Sequence, residues 1–97
     1  MRIEPDPTPR IAAHIDACRA AIDAHVEAQA RALRYNSVAH LAGYVGSTVP
    51  EWAAEAQAFV AWRDAVWVSA FALLNAADPA RPPSIDEVLA ALPAWPH

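Results

Sequence analysis

His14 and Cys18 stand four residues apart, and His25 follows at nearly the same helical azimuth as His14. On one helix, that spacing could turn an imidazole and a thiolate toward a single metal ion. A closed zinc site needs four ligands, however, and the chain holds one cysteine and neither a CxxC nor an HExxH pattern. Cys18 therefore reads as a small buried hydrophobe, and no metal or other cofactor is expected. Asp16 and Asp23 share a helix face, as do Glu51 and Glu55. Paired carboxylates catalyse only where a pocket separates their pKa values, and exposed helical acids have no such need. Ser37, Ser47, Thr48 and Ser84 fall where helix caps are required, so none stands as a nucleophile. Two glycines, Gly43 and Gly46, cannot make a phosphate-cradling loop. No catalytic residue is assigned, and neither an enzyme nor a small-molecule substrate is expected.

Arg63 is the residue that asks for a special environment. It sits between Trp62 and Trp67 in a long stretch, Thr48 to Ala77, that also holds Trp52, Phe59 and Phe71. At 100° per residue, Trp52, Ala56, Phe59, Val60, Val66, Trp67, Ala70, Phe71 and Leu74 share one face, and Arg63 falls inside it. A guanidinium there is expected to stack on Trp67 or Trp52 and to pair with a carboxylate from a facing helix. Trp62 falls beside that face and is expected to border a second, exposed apolar strip. Because Trp and Arg dominate binding hot spots, Trp62, Arg63, Trp67 and Trp95 are the candidate partner-binding residues.

The elements that must position these groups are helical. Thr48 and Glu51 have capping-box spacing, with Pro50 in the first turn of the long helix. An earlier helix is expected from Thr8 as cap and Pro9 as first residue to about Tyr35, ending at Asn36. Its apolar residues, Ile11, Ile15, Cys18, Ile22, Val26 and Leu33, follow an eleven-residue period and not a heptad. Ser37 opens a short helix from Val38 to about Val45, which Gly46 and Ser47 break. Ser84 and Glu87 repeat the capping box before a final helix to about Leu92, and Trp95 is expected to fold back onto an apolar surface. No strand pattern or repeat interrupts this order. The expected fold is all-α: two long antiparallel helices with two short ones, a helical hairpin or small bundle over residues 9–97 after an extended arm at 1–8.

Composition limits the partners. Of 97 residues, 25 are alanine, which favours helix but buries little area, so the core of a small domain is thin and self-association is expected. The net charge of -4, with seven arginines, no lysine and no basic cluster, argues against nucleic acid. The uncharged run Ala65 to Ala77 is too short to span a bilayer, so no membrane insertion is expected.

From Tyr35 onward the chain resembles a family of small bacteriophage and prophage proteins encoded among tail genes. The resemblance rests on an ordered set: Tyr35-Asn36-Ser37, Glu55-Ala56, Ala61-Trp62-Arg63-Asp64-Ala65-Val66-Trp67, and Arg81-Pro82-Pro83-Ser84 through Glu87 to Leu92-Pro93. It covers about the last two thirds of the chain. It implies a non-enzymatic tail protein: a virion component near the baseplate or fibre, or a fibre-assembly chaperone, found in the virion tail or in the host cytoplasm during assembly. Its partners would be tail or fibre proteins and further copies of itself. The alternative is a small acidic phage inhibitor of a host defence or regulatory protein, which the same composition fits.

Overall fold

The computed structural model describes residues 7–78 and 80–96. They form four helices: α1 Pro7–Ala32, α2 Val38–Ala42, α3 Pro50–Ala76 and α4 Ile85–Ala91. Among the described residues there is no strand, and the two-long, two-short helical architecture is the expected one. Facing pairs give the direction of the long helices. Arg19 meets Phe71, His25 meets Trp62, and Tyr35, just past α1, reaches Glu55. Numbers rise along α1 as they fall along α3, so the two are antiparallel.

Helix α1 begins at Pro7, so Thr8 lies within the helix and does not precede it. Two prolines in a first turn cost little, because those N–H groups have no intrahelical acceptor. The arm expected over residues 1–8 thus loses Pro7 and Thr8 to the helix, and Met1 to Asp6 lie outside the described residues. At the other end α1 stops three residues before Tyr35. Arg34 adopts a left-handed backbone, φ 74°, and the Arg34 and Tyr35 N–H groups donate back to the carbonyls of Arg31 and Ala30 at 2.8 and 3.1 Å. This is a Schellman ending with arginine where glycine is usual, and Asn36 plays no part in it. The buried line of α1 is Cys18, Ile22, Val26 and Ala30, a four-residue ridge that departs from the heptad.

Ser37 caps α2, accepting from the His40 N–H at 3.0 Å, and Glu27 of α1 accepts from the Val38 N–H at 3.1 Å. The helix ends at Ala42, and residues 43–46 are turn, so the expected extension to Val45 does not form. The cap of α3 is also corrected. Val49 occupies that position without a side-chain hydrogen bond, while the Ser47 hydroxyl accepts from the Val49 N–H at 3.1 Å. With Pro50 at the first position the backbone is already set for a helix, and Thr48 is left exposed outside it. The Ser84–Glu87 box forms in both directions, 3.1 and 3.3 Å, and starts α4 as expected.

The main correction concerns the inward face of α3. Its buried residues are Ala56, Phe59, Trp62, Val66 and Ala70. The axis of burial is therefore turned by roughly 50° from the expected face, toward Trp62. Trp52 is 50% exposed and Phe71 42%, whereas Trp62 is only 5% exposed. The physical reason is that polar residues such as Glu55, Arg63 and Asp64 are spread round α3 among apolar ones, so its own sequence selects no single inward face. What covers it decides. The segment after α4 lies along the Trp62 side, and Val88 of α4 completes the core with Leu41 of α2.

Candidate functional site

The four candidate partner-binding residues are split between two sides of α3. Trp62 belongs to the interior, and Trp95 is half-buried against the core. Their rings meet edge-to-face at 5.6 Å, Phe59 lies 5.7 Å from Trp62 and 6.1 Å from Trp95, and His25 lies 5.8 Å from Trp62. The Trp62 indole N–H donates to the Pro93 carbonyl at 2.9 Å. Trp95 folds back as expected, but onto Trp62 itself, so Trp62 borders no exposed strip. These two indoles hold the α4 tail against α3; Trp95 also lines a shallow hollow of about 310 Å³ with Leu33, Ala54, Glu55 and Ala58.

Arg63 and Trp67 remain together on the other side. They line an open hollow of about 370 Å³ with Asp23, Val26 and Glu27 of α1 and Val38 of α2. The Arg63 side chain is 30% exposed, half-buried as its position on α3 suggested. Its partner differs from expectation: Nε–H and Nη2–H both donate to Oδ1 of Asp64, at 3.2 and 3.0 Å, and Asp64 is the next residue on the same helix. Neither Trp67 nor Trp52 is stacked beneath it. The guanidinium that does lie over a ring belongs to Arg19, 5.6 Å from the centre of Phe71. Phe71 in turn contacts Trp67 at 5.6 Å, and Val68, 69% exposed, follows directly, so the hollow opens onto an apolar strip. Sequence reasoning missed Val68, although its azimuth opposite the Phe59–Val66 face would have placed it outward.

The other chemical groups are engaged in holding the fold. The His14 Nε2–H donates to the Pro83 carbonyl at 2.7 Å, tying α1 to the loop before α4, and Cys18 Sγ lies 3.7 Å from the same nitrogen. A carbonyl can only accept, so Nε2 carries the proton and its lone pair is not offered to a metal. Burial pushes the Cys18 thiol up from its ordinary value, which keeps it protonated and unreactive. His25 is drawn away to Trp62. Among the described residues, no three His, Cys, Asp or Glu side chains converge as metal ligands. The carboxylate pairs separate too. Asp16 is exposed while Asp23 lines the hollow; Glu55 accepts from the Tyr35 hydroxyl at 2.8 Å while Glu51 is exposed. Burial, then the Glu55 carboxylate, push Tyr35 up to about 12. A second ring cluster, Tyr35, His40, Tyr44 and Trp52, closes the α2 end with centroid separations of 5.5–5.7 Å.

The chain matches no protein-family model, no curated protein and no solved structure. Among the described residues, no helix is long and apolar enough to cross a membrane.

Proposed function

We propose that this chain is a non-enzymatic docking protein of the bacteriophage tail, a virion component of the baseplate or fibre region or a chaperone of fibre assembly. One observation carries the docking part. Of the residues on which the tail-protein resemblance rests, most are consumed by the fold: Tyr35 by Glu55, Ser37 by His40, Trp62 by Pro93 and Ser84 by Glu87. Arg63, Asp64 and Trp67 are not. Arg63 and Asp64 pair with each other, and Trp67, half-buried against the core, meets Phe71, beside an open hollow and the exposed side chains of Val68 and Phe71. A planar guanidinium and an indole beside an apolar strip are the side chains that anchor protein interfaces.

Mass spectrometry of purified particles and affinity capture from infected cells test the reading. The protein in particles, or captured with tail subunits, supports it. Capture of a host regulatory protein with no tail subunit overturns it in favour of the inhibitor. Arg63→Ala with Trp67→Ala should abolish capture while leaving the helical spectrum unchanged.

A further inference from the structure

We propose that the Asn36–Ser37 junction is a self-modification site, at which Asn36 loses its side-chain amide and becomes aspartate or isoaspartate. The chain has two asparagines, Asn36 and Asn75, and both are exposed. Their backbones differ. Asn75 lies inside α3, so the N–H of Ala76 after it belongs to the helical ladder. Asn36 lies in the bend between α1 and α2, and Ser37 follows it with extended backbone, φ -163° and ψ 168°. Among the described residues, neither the Asn36 side-chain amide nor the Ser37 N–H makes a hydrogen bond. The atoms around these two groups are held. The Asn36 N–H donates to His40 Nδ1 at 3.2 Å, and the Ser37 hydroxyl accepts from the His40 N–H at 3.0 Å. The Ser37 carbonyl accepts from the Leu41 N–H at 3.0 Å. A free nucleophile and a free electrophile thus stand on adjacent residues of a fixed turn.

The Ser37 nitrogen attacks Cγ of Asn36 and closes a five-membered imide. The bond from Cγ to the side-chain nitrogen breaks, and that nitrogen leaves as ammonia with the proton from the Ser37 N–H. Water then adds to either imide carbonyl and reopens the ring, giving aspartate by one route and isoaspartate by the other. No oxidant or metal enters. The small, unbranched side chain of Ser37 leaves its nitrogen open, where a β-branched residue would screen it. Both products add one negative charge to a chain that carries -4. Isoaspartate also routes the main chain through the side chain and lengthens it by one methylene. Tyr35, tied to Glu55 at 2.8 Å, and Ser37, the cap of α2, stand on either side of that added atom. The cap and the bond from the Val38 N–H to Glu27 depend on the native spacing, so isoaspartate loosens α2, whose Leu41 is fully buried. The inference follows from the bend alone and stands apart from the docking reading.

The test is an ageing experiment on the full chain, held at pH 8 and 37 °C for weeks and sampled by peptide mapping. Trypsin cleavage after Arg34 and Arg63 places Asn36 and Asn75 on different peptides. The Asn36 peptide should gain the mass of an amide-to-acid change and separate into aspartyl and isoaspartyl forms, at nearly the rate seen in urea-unfolded chain. The Asn75 peptide should change several times more slowly in folded chain than in urea. Asn36→Gln, whose longer side chain cyclises far more slowly, should stay unmodified. Amide exchange at His40 and Leu41 should quicken in the isoaspartyl fraction, while Glu87 and Val88 of α4 hold theirs. An Asn36 peptide that stays unmodified, or that folding protects as strongly as Asn75, overturns the site. An isoaspartyl fraction with unchanged exchange at His40 and Leu41 overturns its effect on α2.

Discussion

The indole N–H of Trp62 points into the fold and donates to the carbonyl of Pro93, 31 residues later, at 2.9 Å. This bond joins the middle of α3 to the segment after α4. Replacing Trp62 by alanine removes a buried ring from the Phe59–Trp95 cluster and strands the carbonyl, at a cost of about 3–5 kcal/mol. Trp62→Phe keeps most of the packing and loses the hydrogen bond, for about 1–2 kcal/mol. Urea denaturation of the two variants should show that order.

Arg63→Ala should behave quite differently. The guanidinium pairs only with Asp64 on its own helix, so stability should change by no more than about 0.5 kcal/mol. Partner capture should nevertheless fall. A melting temperature lowered by many degrees would show that the charge is structural and would remove Arg63 from the docking surface.

Arg34 is a substitution site where stability should rise. Its φ of 74° costs any residue with a Cβ roughly 1 kcal/mol, and its side chain is exposed. Arg34→Gly should stabilise by about 0.5–1 kcal/mol, the gain in strain outweighing the added freedom of the unfolded chain. Thermal unfolding of the single variant decides it.

Tyr35 makes the fold sensitive to alkali. Its hydroxyl stays protonated to about 12 in the folded chain, against 10.0 for the ordinary group, because it is buried against Glu55. Between those values the unfolded chain has released the proton and the folded chain has kept it, so stability falls as pH rises. The contribution is complete below pH 10 and lost by about 12. Tyr35→Phe should be about 1 kcal/mol less stable at neutral pH and should lack this part of the alkaline decline. Unfolding curves from pH 8 to 12 separate the two.

Helix α4 should depend on its cap. Ser84→Ala removes the hydroxyl that accepts from the Glu87 N–H, leaves the backbone half of the box, and should cost about 1 kcal/mol. Hydrogen exchange should speed up first at the amides of Glu87 and Val88.

The sequence made the helices legible through their punctuation: Pro50, the Ser37 and Ser84 caps, and the proline-rich segment before α4. The antiparallel pairing followed from two long helices joined through a short one. The facing of α3 was not legible. That helix mixes apolar and polar residues around its circumference, so periodicity admits several inward faces, and its packing partners, the Pro93 carbonyl and Trp95 among them, choose between these. Arg63 was misjudged for a related reason. A same-helix neighbour can satisfy a guanidinium, and azimuth alone does not reveal whether Asp64 will turn toward it. Thr48 lost its cap because Pro50 sets the first turn and Ser47 bonds Val49 instead. At the candidate site, burial separates the expected residues. Trp62 is buried in the core, Trp95 is half-buried against it, and Arg63 and Trp67 line an open hollow.

The tie between Trp62 and Pro93 also governs the order in which the molecule can be completed. A ribosome delivers Phe59 and Trp62 well before the proline and the indole that shelter them. Until some thirty more residues have emerged, a growing chain presents two large rings to the cytosol. Nascent copies are therefore most prone to stick to one another in that interval, and a chain ending before Pro93 should give more insoluble product than the full sequence.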